Sequence, residues 1–152
     1  MKHYGPELIP ASAFHAYSEA VSVANGIFVK VTFDAVEFNT GDFSLSTDRY
    51  TAPTDGYYQF TSSIIFNAYS GWASNDHFSM YIYINSGASD LTLVQAYSQG
   101  ANVANVRMQA NATGVVELEA GDYVELYIRQ YADDTMTVTD ASTSYFAGHR
   151  LN

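Results

Sequence analysis

The chain has 152 residues, no cysteine, and a formal charge of -10 from 6 Lys+Arg against 16 Asp+Glu. That length supports one domain with a core of its own, without disulfides or a structural metal, and thiol chemistry is excluded. Nucleic acid and anionic membrane surfaces are excluded as partners, because both require clustered cations to release counterions. No membrane insertion is expected, since nothing approaches the roughly 18 consecutive apolar residues that a spanning helix needs.

Residues 1–12, with Pro6 and Pro10, read as an irregular leader or linker remnant, and 13–152 as the one folded domain. The segment from Met1 to Glu7 has no apolar run like the core of a signal peptide. A first long strand is predicted from Gly26 to Asp34, with Ile27, Val29, Val31 and Phe33 on one face and Lys30, Thr32 and Asp34 on the other. The apolar phase flips at Ala35-Val36, as a bulge or a break between two strands would cause.

Tyr50-Thr51-Ala52-Pro53-Thr54-Asp55-Gly56 joins a turn directly to a strand in which Tyr58, Phe60, Ile64 and Phe66 alternate with Tyr57, Gln59, Thr61 and Ile65. Phe78 to Ile84 alternates in the same way, and Leu91–Tyr97 and Val103–Met108 are weaker candidates. Val116 and Leu118 precede a Gly121-Asp122 turn, after which Val124, Leu126 and Ile128 alternate with Tyr123, Glu125, Tyr127 and Arg129. Val138 and Tyr145–Leu151 close the set. Connections are expected at Asn25-Gly26, Thr40-Gly41-Asp42, Asp55-Gly56, Asn85-Ser86-Gly87, Asn111-Ala112-Thr113-Gly114 and Gly121-Asp122. No helix of ordinary length is legible, so the fold class is all-β, a sandwich or barrel. Val31, Phe33, Tyr58, Phe60, Ile82, Leu118, Val124, Leu126 and Ile128 are expected to fill one core between two sheets.

Catalytic motifs are missing from the sequence: no Gly-x-Ser-x-Gly elbow, no phosphate-cradling glycine loop, and four scattered histidines (His3, His15, His77, His149) without metal-binding spacing. Asp133-Asp134, with Asp140 nearby, offers hard oxygen ligands to calcium, and Asp76 and Asp90 are isolated alternatives; a solvated acidic turn is the plainer reading. Tyr123, Tyr127 and Tyr131, joined by Tyr57, Tyr81 and Tyr83, form an aromatic set on polar faces, which suggests an interface between copies of the chain. Otherwise they simply cover the sheet with their hydroxyls wet. Trp72, in a polar loop between two strands, is expected either as a ligand-binding anchor or as packing over the end of the sandwich. Asn111-Ala112-Thr113 is a glycosylation sequon that matters only in a secreted eukaryotic chain.

Ala13-Phe14-His15-Ala16-Tyr17, Val31 to Gly41, Tyr50 to Phe60, Val116 to Asp122 and Phe146-Ala147-Gly148 together resemble the globular head domain of complement C1q, within the tumour-necrosis-factor-like jelly rolls. The resemblance implies a ten-stranded jelly-roll sandwich of two antiparallel sheets that trimerises about an axis through aromatic side chains. It also implies recognition through loops at one end rather than catalysis, with a protein or glycan as ligand, calcium bound in some members, and a place outside the cell, on its surface or on a virion. The alternative is a structural cap that trimerises a fibre or stalk and has no ligand of its own.

Overall fold

The computed structural model describes residues 11–85, 105–139 and 143–151 and the backbone of 92–99. The strands are β1 (Ala13–Ser18), β2 (Ser22–Val23), β3 (Val29–Lys30), β4 (Phe33–Asn39), β5 (Phe43–Ser44), β6 (Arg49–Thr51) and β7 (Gly56–Tyr69). They continue as β8 (His77–Ile84), β9 (Thr92–Gln99), β10 (Val106–Leu118), β11 (Tyr123–Tyr131), β12 (Met136–Thr137) and β13 (Tyr145–Arg150). One sheet runs β10-β7-β13-β1-β4; the other runs β5-β6-β11-β8-β9, with β3 beside β11. β12 and β2 form a small ribbon, and every ladder between these strands is antiparallel. The architecture is all-β, as the alternation and turn spacing pointed to, and it is the jelly-roll sandwich that the resemblance implied. It has more segments than the ten strands expected, because several are only two or three residues long.

Turn chemistry sets the register of the long strands. Before β11, Gly121 takes φ +95°, where an L side chain is strained, while Asp122 Oδ2 accepts the Glu119 N–H at 2.9 Å. Before β7, Asp55 Oδ1 accepts the Ala120 N–H at 2.8 Å, which ties the two turns together. From these fixed starts, two-residue alternation sends Tyr58, Phe60, Ile64 and Phe66 inward from β7, and Val124, Leu126 and Ile128 inward from β11. All nine residues expected in the core are buried. The densest part is aromatic: Phe14 stacks on Phe43 at 4.6 Å and meets Phe146 edge-on at 5.0 Å, and Tyr50 meets Phe60 at 5.4 Å.

Two expectations fail in detail. The run from Gly26 to Asp34 is not one strand: β3 pairs with β11, and β4 pairs with β1 in the opposite sheet. The chain therefore crosses the sandwich between Lys30 and Phe33, with Val31 and Phe33 buried and Ile27 left 54% exposed. The phase flip is real, for β4 slips register against β1 twice, leaving Asp34 and Glu37 as the extra residues. Asn111-Ala112-Thr113-Gly114 is not a connection: it lies inside β10, paired with Ser63 to Phe60 of β7. Local turn propensity yields there to a thirteen-residue strand whose pairing with β7 is unbroken from Met108 to Leu118, with Ala110 and Ala112 buried against the core.

Candidate functional site

The six tyrosines do not share a face. Tyr57 stands on β7, on the outward side of the five-stranded sheet; Tyr81, Tyr83, Tyr123, Tyr127 and Tyr131 stand on β8 and β11, outward from the other sheet. The reason is topological, since β7 and β8 are consecutive strands that belong to opposite layers.

On the six-stranded sheet the tyrosines are already partnered within one chain. Tyr81 and Tyr83 lie parallel within 3° at 5.7 Å, Tyr83 meets Tyr127 edge-on at 5.4 Å, and His77 stacks on Tyr131 at 4.6 Å. Arg49 lies over the Tyr123 ring at 4.0 Å and Arg129 over Tyr131 at 4.6 Å. Beneath them Glu125, 1% exposed, receives Lys30 Nζ at 2.6 Å and an Arg49 amino group at 2.9 Å on one oxygen, while Tyr127 Oη donates to the other at 3.4 Å. Burial first, and then the Glu125 carboxylate, push the Tyr127 phenol above its ordinary value. On this face the tyrosines pack against one another and against arginine side chains within one chain.

The outward face of the five-stranded sheet is different. Its three central strands, β7, β13 and β1, turn outward Tyr57, Gln59, Thr61, Ala147, Ala13 and their neighbours, among them two histidines but no Asp, Glu, Lys or Arg. Phe38 (51%), Tyr57 (47%), Val115 (53%) and Leu151 (46%) are all exposed around it. A shallow depression of about 290 Å³ lies on it, lined by Ala13, Phe38, Gln59, Thr61, Ala147 and His149 among others. At its margin His15 sits between the rings of Tyr17 and Tyr145, 4.9 Å from each, with Glu37 at 3.5 Å. Sequence reading singled out only Tyr57 here. The signal that points to the whole face is the lack of charge along the odd positions of β7, which a chain this acidic makes conspicuous.

Trp72 is not an exposed anchor. It is 2% exposed, meets Tyr69 edge-on at 5.5 Å, and donates its indole N–H to the Val106 carbonyl at 3.0 Å, closing the β7–β8 loop over the end of the core. Asp76 is buried and caps the same loop by accepting the Ala73 N–H at 2.9 Å. Asp133 and Asp134 are exposed: Asp134 Oδ1 accepts the Thr135 N–H, and the Asp134 carbonyl accepts the buried Gln130 side chain at 2.9 Å. Among the described residues no three carboxylate, histidine or thiol groups come together to hold a metal ion. Asp90, Asp140 and His3 lie outside those residues. Asp55, Glu117, Glu119 and Asp122 line a second, acidic depression of about 430 Å³, in which Asp55 and Asp122 are committed to turn N–H groups.

Two antiparallel sheets in this order, with the first and last strands adjacent in the five-stranded sheet, define a jelly roll of the C1q and tumour-necrosis-factor type. The C1q domain family model matches residues 13–151, and the chain belongs to that family. No curated protein matches it in sequence. Among solved structures it is similar to Eiger TNF from S. frugiperda (TM-score 0.68, 16% identity, 95% of this chain and 94% of that one). It is also similar to murine APRIL (0.68, 14%, 93% and 100%) and to the globular domain of zebrafish complement 1qA (0.61, 17%, 93% and 98%).

Proposed function

We propose that the chain is a non-catalytic recognition head that works as a homotrimer, displayed outside a cell or on a virion. The observation that supports it is the charge-free centre of the five-stranded sheet on a chain of net charge -10. Identical acidic copies repel one another over most of their surface. They meet at least cost where no carboxylate must be desolvated and where apolar groups already stand in water. Interface cores have this composition, with charged residues depleted and aromatics enriched. Tyr57 belongs to that contact; the other five tyrosines stay with their own sheet. Recognition then falls to surfaces the assembly leaves open, the loops at one end among them. Of the two loop candidates the Asp133-Asp134 turn is exposed, whereas Trp72 is enclosed.

Light scattering tests the reading. The expected mass is three times the 16.7 kDa of the chain, and a monomer mass at micromolar concentration overturns it. Thr61→Asp, at the middle of the charge-free face, is expected to dissociate the assembly while leaving the fold intact. Tyr127→Asp sets a carboxylate beside Glu125 and is expected to destabilise the chain itself.

A further inference from the structure

We propose that the outward face of the six-stranded sheet binds a carboxylated sugar, with Arg129 taking the carboxylate and the rings beside it taking the sugar face. This deepens the recognition reading by naming a ligand class and a site on it.

Among the described residues of this face, Arg129 is the cation without a carboxylate partner. Lys30 and Arg49 are committed to Glu125, and Asp48 lies in the electrostatic range of Lys30. No carboxylate among the described residues stands within ion-pair distance of Arg129. Its guanidinium is nevertheless held in place. Nε donates to the Gly26 carbonyl at 2.8 Å, and the group lies 4.6 Å over the Tyr131 ring and 5.5 Å over the Phe28 ring. Only Nε is used in that bond, and among the described residues the terminal amino groups have no hydrogen-bond partner, which leaves the fork for a ligand with its orientation already fixed. A planar fork matches a carboxylate bidentately, and an immobilised side chain loses little further entropy on binding.

The surroundings suit a sugar. Phe28 is 41% exposed and packs at 4.8 Å against Tyr81, whose ring runs parallel to Tyr83. The π-faces of such rings are negative and attract the polarised C–H face of a pyranose. The local cation Arg129 selects the acidic member of that class, against the general repulsion from a chain of net charge -10. Each site lies within one chain, so three heads on a polymeric glycan would add avidity without a new contact.

The experiment is calorimetry of the whole protein at physiological ionic strength with an oligomer of hexuronate. The same oligomer as its neutral methyl ester and an oligoglutamate of equal charge are the other arms. Binding of the hexuronate is expected, with a loss of about tenfold or more on esterification or with Arg129→Gln, as for one charge-assisted bidentate pair. Arg129→Lys, which keeps charge without the fork, is expected to fall between; Phe28→Ala should weaken binding with the fold intact by circular dichroism. Equal binding of the ester, equal binding of oligoglutamate, or no binding of hexuronate by the folded protein overturns the proposal. Mass measured on the same samples separates the two readings: binding by a monomer overturns the trimer alone, and a trimer that ignores hexuronate overturns this site alone.

Discussion

Gly148 leaves no room for a β-carbon beneath Phe60: a methyl group there would stand 2.5 Å from the Phe60 ring and 2.9 Å from Phe14. The two rings belong to β7 and β1, the strands that flank β13, so the absent side chain lets one aromatic cluster run under three strands. Gly148→Ala is therefore expected to cost about 1–3 kcal/mol by overpacking, seen as a lower urea midpoint at unchanged slope. Ala147→Ser, one residue away and facing outward, should leave the midpoint nearly where it was.

Glu125 gives a second test. Its carboxylate is buried and held by two cations that are themselves a quarter to a third exposed, 26% for Lys30 and 33% for Arg49. The pair of changes Lys30→Met and Arg49→Met removes both cations from a buried carboxylate and is expected to cost about 3–5 kcal/mol. Adding Glu125→Leu to the double variant should recover most of that loss, because no buried charge remains to be desolvated. Denaturant midpoints of the wild type, the double variant and the triple variant form the check. Failure of the triple variant to recover would mean that the network supplies net stability beyond its own desolvation.

Much of the fold is legible where a turn and an alternating strand adjoin. The Asp55-Gly56 and Gly121-Asp122 turns pin β7 and β11, and every core residue expected from those strands is buried. The reading fails where local sequence competes with sheet pairing. Asn111 to Gly114 looks like a turn, yet β7 supplies it with an uninterrupted partner. Ile27 to Phe33 looks like one strand, yet its halves pair in different layers. The candidate sites suffer most from this. Alternation tells which residues share a strand face, but which sheet carries the strand depends on crossovers that leave no local signal. Tyr57 and Tyr83 were thus grouped although the sandwich lies between them, and Arg129 gained its neighbour Phe28 only through the β3–β11 pairing.

Trp72 makes a third prediction. Its indole N–H satisfies the Val106 carbonyl at 3.0 Å, where β10 begins and the β7–β8 loop folds back. Trp72→Phe keeps a ring against Tyr69 but leaves that carbonyl without its donor, so a loss of about 1–3 kcal/mol is expected. Hydrogen exchange should show the loop opening more often while the centre of β11 stays protected. Loss of protection in both would show that the loop is not a separate unit of stability.

Asp48 supplies the pH dependence. It takes φ +48°, a left-handed conformation that Asp and Asn tolerate better than most residues, and its Oδ1 accepts the Phe33 N–H at 2.9 Å. Burial raises its carboxyl above the ordinary value; the Phe33 N–H and Lys30 oppose the rise, and Glu19 and Glu125 add to it. A raised folded-state pKa means that the folded protein holds this proton more tightly than the unfolded chain. The resulting stability is fully present below the unfolded value of about 4 and is lost as pH rises through the folded one. At neutral pH the ionised Asp48 is thus a net cost. Asp48→Asn keeps the Phe33 bond and the backbone conformation and removes the titration. The variant should be the more stable protein at pH 7, by no more than roughly 0.5–1 kcal/mol once solvent screening of this half-exposed group is allowed for. The advantage should shrink as the pH falls towards 4, where wild type holds the proton itself. Urea midpoints of both proteins at the two pH values decide it. A wild type that is the more stable at pH 7 would show that attraction to Lys30 outweighs burial at this carboxylate.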